Sequence, residues 1–418
     1  MAEVIPFKGV LFNVPKVSSS AGEELLAPPY DIITPEEQQE LYDRSPYNIV
    51  RIDFGRKHTD DNDRSNRYTR ARESLDAWVR EEVLVIDRAP SFYAYQVEYR
   101  LQGRPLLLNG FLGLVRLEAL GKGDIHPHEY THSKPKKDRL DLMRHCEANI
   151  SPIFSLYNSP AKIASRILSE QGKAKPSIDA KDRNGSIHRL WQIDDPHALT
   201  AITAELQGKA VFIADGHHRY ETALEYQKEM QRKEGPSDKP RPYDYVLMFL
   251  ANMADEGLAI LPTHRLVKDL PEDALDQLAA DFDIEEMKMS DDISASIAGK
   301  RDVYGLYTGG DGWYRLSYTG EGIHGVPAAL KDLDVTILHD LIFKQLLDIE
   351  TVSYEMDIQK CIRAVRSGEC LAAFFLNPTD VYDVERVALA SLRMPPKSTY
   401  FFPKLLTGMV LHIFKYSS

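Results

Sequence analysis

Residues 211–223, Val-Phe-Ile-Ala-Asp215-Gly216-His217-His218-Arg219-Tyr220-Glu221-Thr222-Ala223, set a carboxylate, two imidazoles and a guanidinium behind a short apolar run. Asp215 and the two imidazoles offer acid/base or metal-ligand capacity near neutral pH. Arg219 adds a permanently charged fork that matches phosphate or carboxylate. Gly216 lets the backbone approach a ligand closely. Such residues act together only if they are positioned together. Residues 211–214 read as a buried strand, and Tyr220, Ala223, Leu224 and Tyr226 fall on one face of a following helix. A strand, a tight turn and a helix start would place the helix's first N–H groups and its positive pole at Gly216, which is an anion cradle. The simpler alternative is that Asp215 caps the helix and the histidines are ordinary satisfied polar residues. The crowding of polar groups on one turn favours a functional site.

Other stretches carry comparable chemistry. His128-Glu129-Tyr130-Thr131-His132 matches the H-E-x-x-H pattern of zinc hydrolases, which needs both histidines one turn apart on a rigid helix. Pro127 before it and Ser133-Lys134-Pro135 after it argue against that helix. The preferred reading has His128 and Glu129 lining a pocket opposite Asp215, with a basic rim of Lys134, Lys136, Lys137 and Arg139. Ala27-Pro-Pro-Tyr-Asp31 holds Asp31 in a rigid turn. Thr34, Pro35 and Glu37 then start a helix as cap, first and third helical residues. Near the end of the chain, Met394-Pro-Pro-Lys397-Ser-Thr-Tyr-Phe-Phe-Pro-Lys404 combines donors with aromatics, as a returning lid or phosphate contact would. Pro262-Thr-His-Arg265 puts a guanidinium at a strand end. No Walker loop, dinucleotide-binding glycine fingerprint or protein-kinase signature is present.

The remaining chain reads as mixed α and β. Alternation at Tyr93, Tyr95, Val97 and Tyr99 followed by residues 106–118 predicts a hairpin, and Asn184-Gly185 another. A helix is expected over 138–148. Residues 1–270 are expected to form a core domain, 271–330 a small α+β unit, and 331–418 a segment returning to the core. With 418 residues, 43% hydrophobic and 27% charged, the chain has ordinary globular composition. Its net charge of −12 argues against general nucleic-acid binding. Three scattered cysteines, Cys146, Cys361 and Cys370, suggest neither a disulfide framework nor a clustered zinc site. No signal-peptide core and no membrane-spanning run is visible, so a cytoplasmic location is expected.

Taken in order, Ala27-Pro-Pro-Tyr-Asp31, His128-Glu129 with Thr131, residues 214–223, Leu261-Pro-Thr-His-Arg265 and residues 394–404 resemble an uncharacterised prokaryotic family. That family is known as domain of unknown function 1015. The resemblance spans nearly the whole chain, and a second histidine at position 132 is not part of its pattern. More distantly, Asp215-Gly-His-His-Arg219 is similar to the same turn in free-serine kinases of the ParB/sulfiredoxin fold. Those enzymes phosphorylate the hydroxyl of free serine from a nucleotide donor, with this turn beside the donor phosphates.

The resemblance implies a ParB/sulfiredoxin-like α/β core with additional α+β regions and a kinase-like transfer to a small hydroxyl substrate such as serine. The expected donor is ATP, ADP or pyrophosphate, with Mg²⁺. Asp215, His217, His218, Asp31 and Glu129 are the expected catalytic groups. Gly216, Arg219, Arg139, Arg265, Lys397 and Lys404 are expected at the donor, and Asp215 with Glu129 at the metal. Asp31 and Glu129 are assigned on chemistry alone. Two alternatives stay open: a metal-dependent hydrolase using His126, His128, His217 and His218, and a nucleotide-responsive regulator without turnover. Donor, acceptor and oligomeric state are not fixed by the sequence.

Overall fold

The computed structural model describes residues 2–131, 133–288, 292–320 and 323–417, without the side chains of residues 133 and 134. The architecture is mixed α+β, as the sequence pattern predicts. The chain divides into two units. One comprises Met1–Pro127, Thr131–Leu258 and Pro403–Ser418; the other comprises His128–Tyr130 and Ala259–Phe402.

The strand that ends at Asp215, Val211–Asp215, lies second from one edge of a nine-stranded sheet in the first unit. The order is Ile125–Pro127, Val211–Asp215, Ile153–Tyr157, Tyr245–Asn252, Arg104–Arg116, Phe92–Leu101, Ile187–Ile193 and Ile178–Lys181, with Val4–Ile5 added along Arg104–Arg116. The predicted hairpin is present and turns at Gln102-Gly103, both at positive φ (49° and 79°), the twist that suits a two-residue connection. Its alternation does not separate a wet face from a dry one. Ala94 and Gln96 are as buried as Tyr93 and Tyr95. The helix Ile163–Gln171 covers the polar half of the pattern, with Gln96 Nε2 donating to the Leu168 carbonyl at 3.4 Å. A sheet covered on both faces needs no polar side.

The helix His217–Glu234 buries His217, Tyr220, Thr222, Ala223 and Tyr226, so the predicted face is the packed one. Tyr220 is anchored twice, its hydroxyl donating to the Glu118 carbonyl at 2.8 Å and accepting from the Glu118 N–H at 3.0 Å. Thr34 caps Pro35–Arg44 by accepting from Glu37 N–H at 3.2 Å. Glu37 does not reach back to close the box, because Arg183 takes its carboxylate at 2.8 Å. One helix begins earlier than expected, at Ser133 rather than 138, and runs to Cys146. Pro135 falls in its first turn, where a missing N–H is harmless.

The second unit holds a six-stranded antiparallel sheet in the order Phe282–Met287, Trp313–Tyr318, Val303–Tyr307, Ala372–Phe375, His264–Val267 and Val352–Glu355. The helix Ile358–Arg366 packs on it through Cys361, Ile362 and Val365. All three cysteines are buried thiols. Among the described residues no helix is long and apolar enough to cross a membrane.

Candidate functional site

Val211–Asp215 pairs in parallel with Ile125–Pro127 and antiparallel with Ile153–Tyr157, and the latter register shifts between Ile213 and Asp215. The strand is buried until Asp215, where the chain turns through Gly216 at φ +96° into the helix. Gly216 occupies the N-cap position, one residue after Asp215, and has no side chain with which to cap. A side chain at 216 would be strained by the left-handed φ, and its Cβ would meet Arg219 Nε at 2.8 Å. The glycine is what lets Arg219 fold back over the turn.

Two cations converge on the Asp215 carboxylate. Arg219 Nη2 lies 3.4 Å and Lys404 Nζ 3.6 Å from Oδ2, and all three side chains are largely withdrawn from solvent, at 13%, 17% and 26% exposure for Arg219, Lys404 and Asp215. Arg219 also donates to the Pro152 carbonyl. Lys404 is thus brought from the far end of the chain to the turn. His217 is buried at the first helical position and His218 is half-buried beside it. His126 stacks on Phe212 (centroids 5.5 Å apart, 27° between planes), because residues 126 and 212 are register partners. Lys136 and Thr131 both bond Glu221 at 2.8 Å.

A second charged group in the same unit was only half legible. Arg139 is buried rather than on an exposed rim, and its donors are committed: to Asp53 Oδ1 at 3.0 Å, and to Asp138 at 2.9 and 2.6 Å. Its guanidinium lies 3.9 Å from the centre of the Tyr30 ring. Asp53, which the sequence reading passed over, is 3% exposed, and its Oδ2 has no hydrogen-bond partner among the described residues. It faces a cavity of about 30 Å³ whose wall includes Arg219 and Thr222, room for a water molecule. Burial pushes the Asp53 carboxyl above its ordinary range, against the pull of Arg139 and Arg219 and with a further push from Asp31. Asp31 itself is exposed on the short turn Tyr30–Ile32. The available signal for Asp53 was an acid set directly in the apolar run Ile49-Val-Arg-Ile-Asp-Phe54.

The remaining candidates lie in the second unit. His128 is fully buried, with Nε2 2.8 Å from Thr399 Oγ1. Arg265 is fully buried as well. It donates to His339 Nε2 at 2.9 Å, to the Thr263 carbonyl, and to the carbonyls of Pro396 and Lys397 at 3.4 and 3.1 Å. Burial brings Arg265 down to about 10, and Glu129 and Tyr354 act in the opposite direction. Lys397 contributes its carbonyl from a backbone at φ +55° while its side chain is exposed. Residues 128–131 are irregular, not a helical turn, and His132 lies outside the described residues. Among the described residues no three His, Cys, Asp or Glu side chains are grouped to hold a metal ion. Asp215, His217, His218, Gly216, Arg219, Lys404, Arg139 and Asp31 therefore belong to one unit, and Glu129, His128, Arg265 and Lys397 to the other.

The family model described as "Protein of unknown function (DUF1015)" matches residues 4–336, and the chain belongs to that family. No curated protein matches it. Among solved structures, a conserved hypothetical protein from Pyrococcus furiosus is 13% identical with a TM-score of 0.35, covering 70% of this chain and 94% of that one. A free serine kinase in complex with AMP is 11% identical with a TM-score of 0.34, covering 70% and 98%. SbnI from Staphylococcus aureus, with a C-terminal truncation, is 11% identical with a TM-score of 0.35, covering 71% and 85%.

Proposed function

We propose that this DUF1015 protein is a phosphotransferase that moves a phosphoryl group from ATP, ADP or pyrophosphate to the hydroxyl of a small substrate such as free serine. The observation that carries the reading is the convergence of Arg219 and Lys404 on Asp215 at the start of the His217–Glu234 helix. Phosphoryl transfer is mostly positioning and charge neutralisation. Two cations at a helix's positive pole supply that for donor phosphates. Without donor, Asp215 occupies the cations. An arriving phosphate competes for them and releases the Asp215 carboxylate, which then orients the acceptor hydroxyl and accepts its proton, with His218 as the neighbouring proton carrier. Arg139 acts indirectly, holding Asp53 beside Arg219.

The donor set fits a magnesium ion that arrives with the donor rather than a resident one. Asp215 would hold it together with phosphate oxygens, and when bound it would spread the charge of the transferring group. Glu129, the other carboxylate assigned to the metal, belongs to the second unit beside Arg265 and is left out of this role. The test is phosphate transfer to L-serine, followed by phosphorus NMR, with each donor in turn. Phosphoserine formation that is lost in Asp215→Asn is the expected result. Donor binding without transfer to any hydroxyl compound would overturn the transferase and favour a nucleotide-responsive regulator.

A further inference from the structure

Asp53 ends the short helix Val50–Asp53, and its two carboxylate oxygens are in different states. Oδ1 accepts from Arg139 Nη1 at 3.0 Å. Oδ2 is buried and has no hydrogen-bond partner among the described residues. An unsatisfied oxygen on a buried acid is costly, and where one persists it marks a bound water, an ion or a working role.

The direction of Oδ2 is fixed from behind. Arg139 gives its other donors to Asp138 at 2.9 and 2.6 Å, and its guanidinium lies against the Tyr30 ring. Asp138 is held in turn by the Tyr68 hydroxyl at 2.8 Å and by Arg67, both from the helix Arg67–Arg80. Asp53 is the last member of this chain of charges, and beyond it lies the cavity of about 30 Å³.

Arg139, Asn149, Ser151, Arg219 and Thr222 are the other polar residues on the cavity wall. Asn149 Oδ1 is already taken by the Leu247 N–H at 3.1 Å and by His412 at 3.0 Å. Thr222 donates to the Lys136 carbonyl at 3.4 Å, so its oxygen can still accept. With Arg139 committed, the cation left on the wall is Arg219. Its bonds to the Pro152 carbonyl and to Asp215 leave the guanidinium with further N–H donors. After burial, which raises the Asp53 carboxyl, Arg139 and Arg219 are the leading charges acting on it the other way.

Arg219 therefore has two acids near it that differ in access to solvent. The Asp215 side chain is 26% exposed and that of Asp53 3%. A phosphate arriving from solvent meets the Asp215 pair first. We propose that Asp53 is a positioning residue for the donor-phosphate clamp, a role that rests on the phosphotransfer reading. A water molecule in the cavity accepts from an Arg219 N–H and donates to Asp53 Oδ2 and to Thr222 Oγ1. This link holds the guanidinium in place when a phosphate takes it from Asp215. Arginine carries much rotamer freedom, so an anchor on the dry side removes an ordering cost from donor binding.

The test is calorimetric titration of the full chain with pyrophosphate, then ADP and ATP, and it reads binding rather than transfer. Asp53→Asn keeps the side chain's shape and an oxygen for Arg139 but loses the charge at Oδ2. It should weaken binding by about tenfold. Asp53→Glu, which reaches into the cavity and sets its charge directly against Arg219, should bind nearly as tightly as wild type. In an Arg219→Ala background, Asp53→Asn should change affinity by less than about twofold, because the effect runs through Arg219. Unchanged affinity in Asp53→Asn would make the acid purely structural and overturn the proposal. Tighter binding would also overturn it, since an acid that merely repels phosphate gives that sign. So would an equal loss with and without Arg219, or no recovery in Asp53→Glu. Those results overturn the positioning role alone, whereas wild type that binds none of the three donors overturns the phosphotransfer reading and this role with it.

Discussion

Replacing Asp215 by Asn removes one negative charge while keeping the size of the side chain, and the two roles given to Asp215 then respond in opposite directions. Arg219 and Lys404 lie 3.4 and 3.6 Å from the carboxylate. Partly exposed ion pairs of this kind are each worth about 0.5–1 kcal/mol after solvent screening. An arriving phosphate must displace both, so the variant frees about 1–2 kcal/mol of donor affinity, or about 5- to 30-fold tighter binding. The helix start is not weakened, because its cap is Gly216. Turnover moves the other way. Losing the group that orients the acceptor and takes its proton should lower kcat by about 10²- to 10⁴-fold. Donor affinity is read by titration with ADP and pyrophosphate, and turnover by transfer to serine. The gain in affinity should shrink as salt rises, since screening weakens the pairs being replaced. Wild-type turnover in this variant would refute the catalytic role. Unchanged or weaker donor binding would refute the competition between carboxylate and phosphate.

Arg219→Ala should weaken donor binding by about 1.5–3 kcal/mol, the worth of a charge-assisted hydrogen bond. Unlike a surface arginine it should also lower stability in urea by about 1–3 kcal/mol, because the Pro152 carbonyl and buried Asp53 lose their cation. Arg219→Lys should recover part of the affinity. Gly216→Ala should cost about 1–2 kcal/mol in thermal melting from the positive φ, and reduce donor affinity as its Cβ displaces Arg219. The pH dependence of stability should be set by buried neutral histidines. Burial brings His412 and His339 down to about 3 and His264 to about 4, while unfolded histidine titrates near 6.5. Between those values the unfolded chain binds more protons, so stability is full above about pH 6.5 and falls as pH drops toward 4. Asp334, raised by burial to about 6, opposes this, as do Asp53, Asp87 and Asp302, whose carboxyls burial also raises. His412→Phe should flatten the urea-midpoint profile over that range by about one proton. It should do so at little cost, because Asn149 Oδ1 keeps the Leu247 N–H at 3.1 Å; an unchanged slope would refute the assignment.

The Asp215 turn was legible because its information is local. Four apolar residues, a glycine and a 3.6-residue spacing announce a strand, a turn and a helix before any tertiary contact is considered. The ends of elements were less so. Pro135 reads as a helix breaker, although the first turn of a helix tolerates it, and the two-period pattern at 93–99 does not reveal that a helix will cover both kinds of residue. Partnerships across long sequence separations were beyond reach. Lys404 stands out in sequence as a cation in a donor-rich stretch, but its partner does not, and only the return of Pro403–Ser418 to the first unit sets it on Asp215. Arg139 and Lys397 show the converse. A basic residue in a polar loop looks like a clamp, yet Arg139 is consumed by Asp53 and Asp138, and Lys397 offers its carbonyl rather than its ammonium. The physical reason is that a charge announces only its need for a partner. Which partner satisfies it depends on desolvation, and burial decides that. Asp53 makes the point most sharply: an acid in an apolar run must be paid for by a cation, and two arginines from distant helices face it.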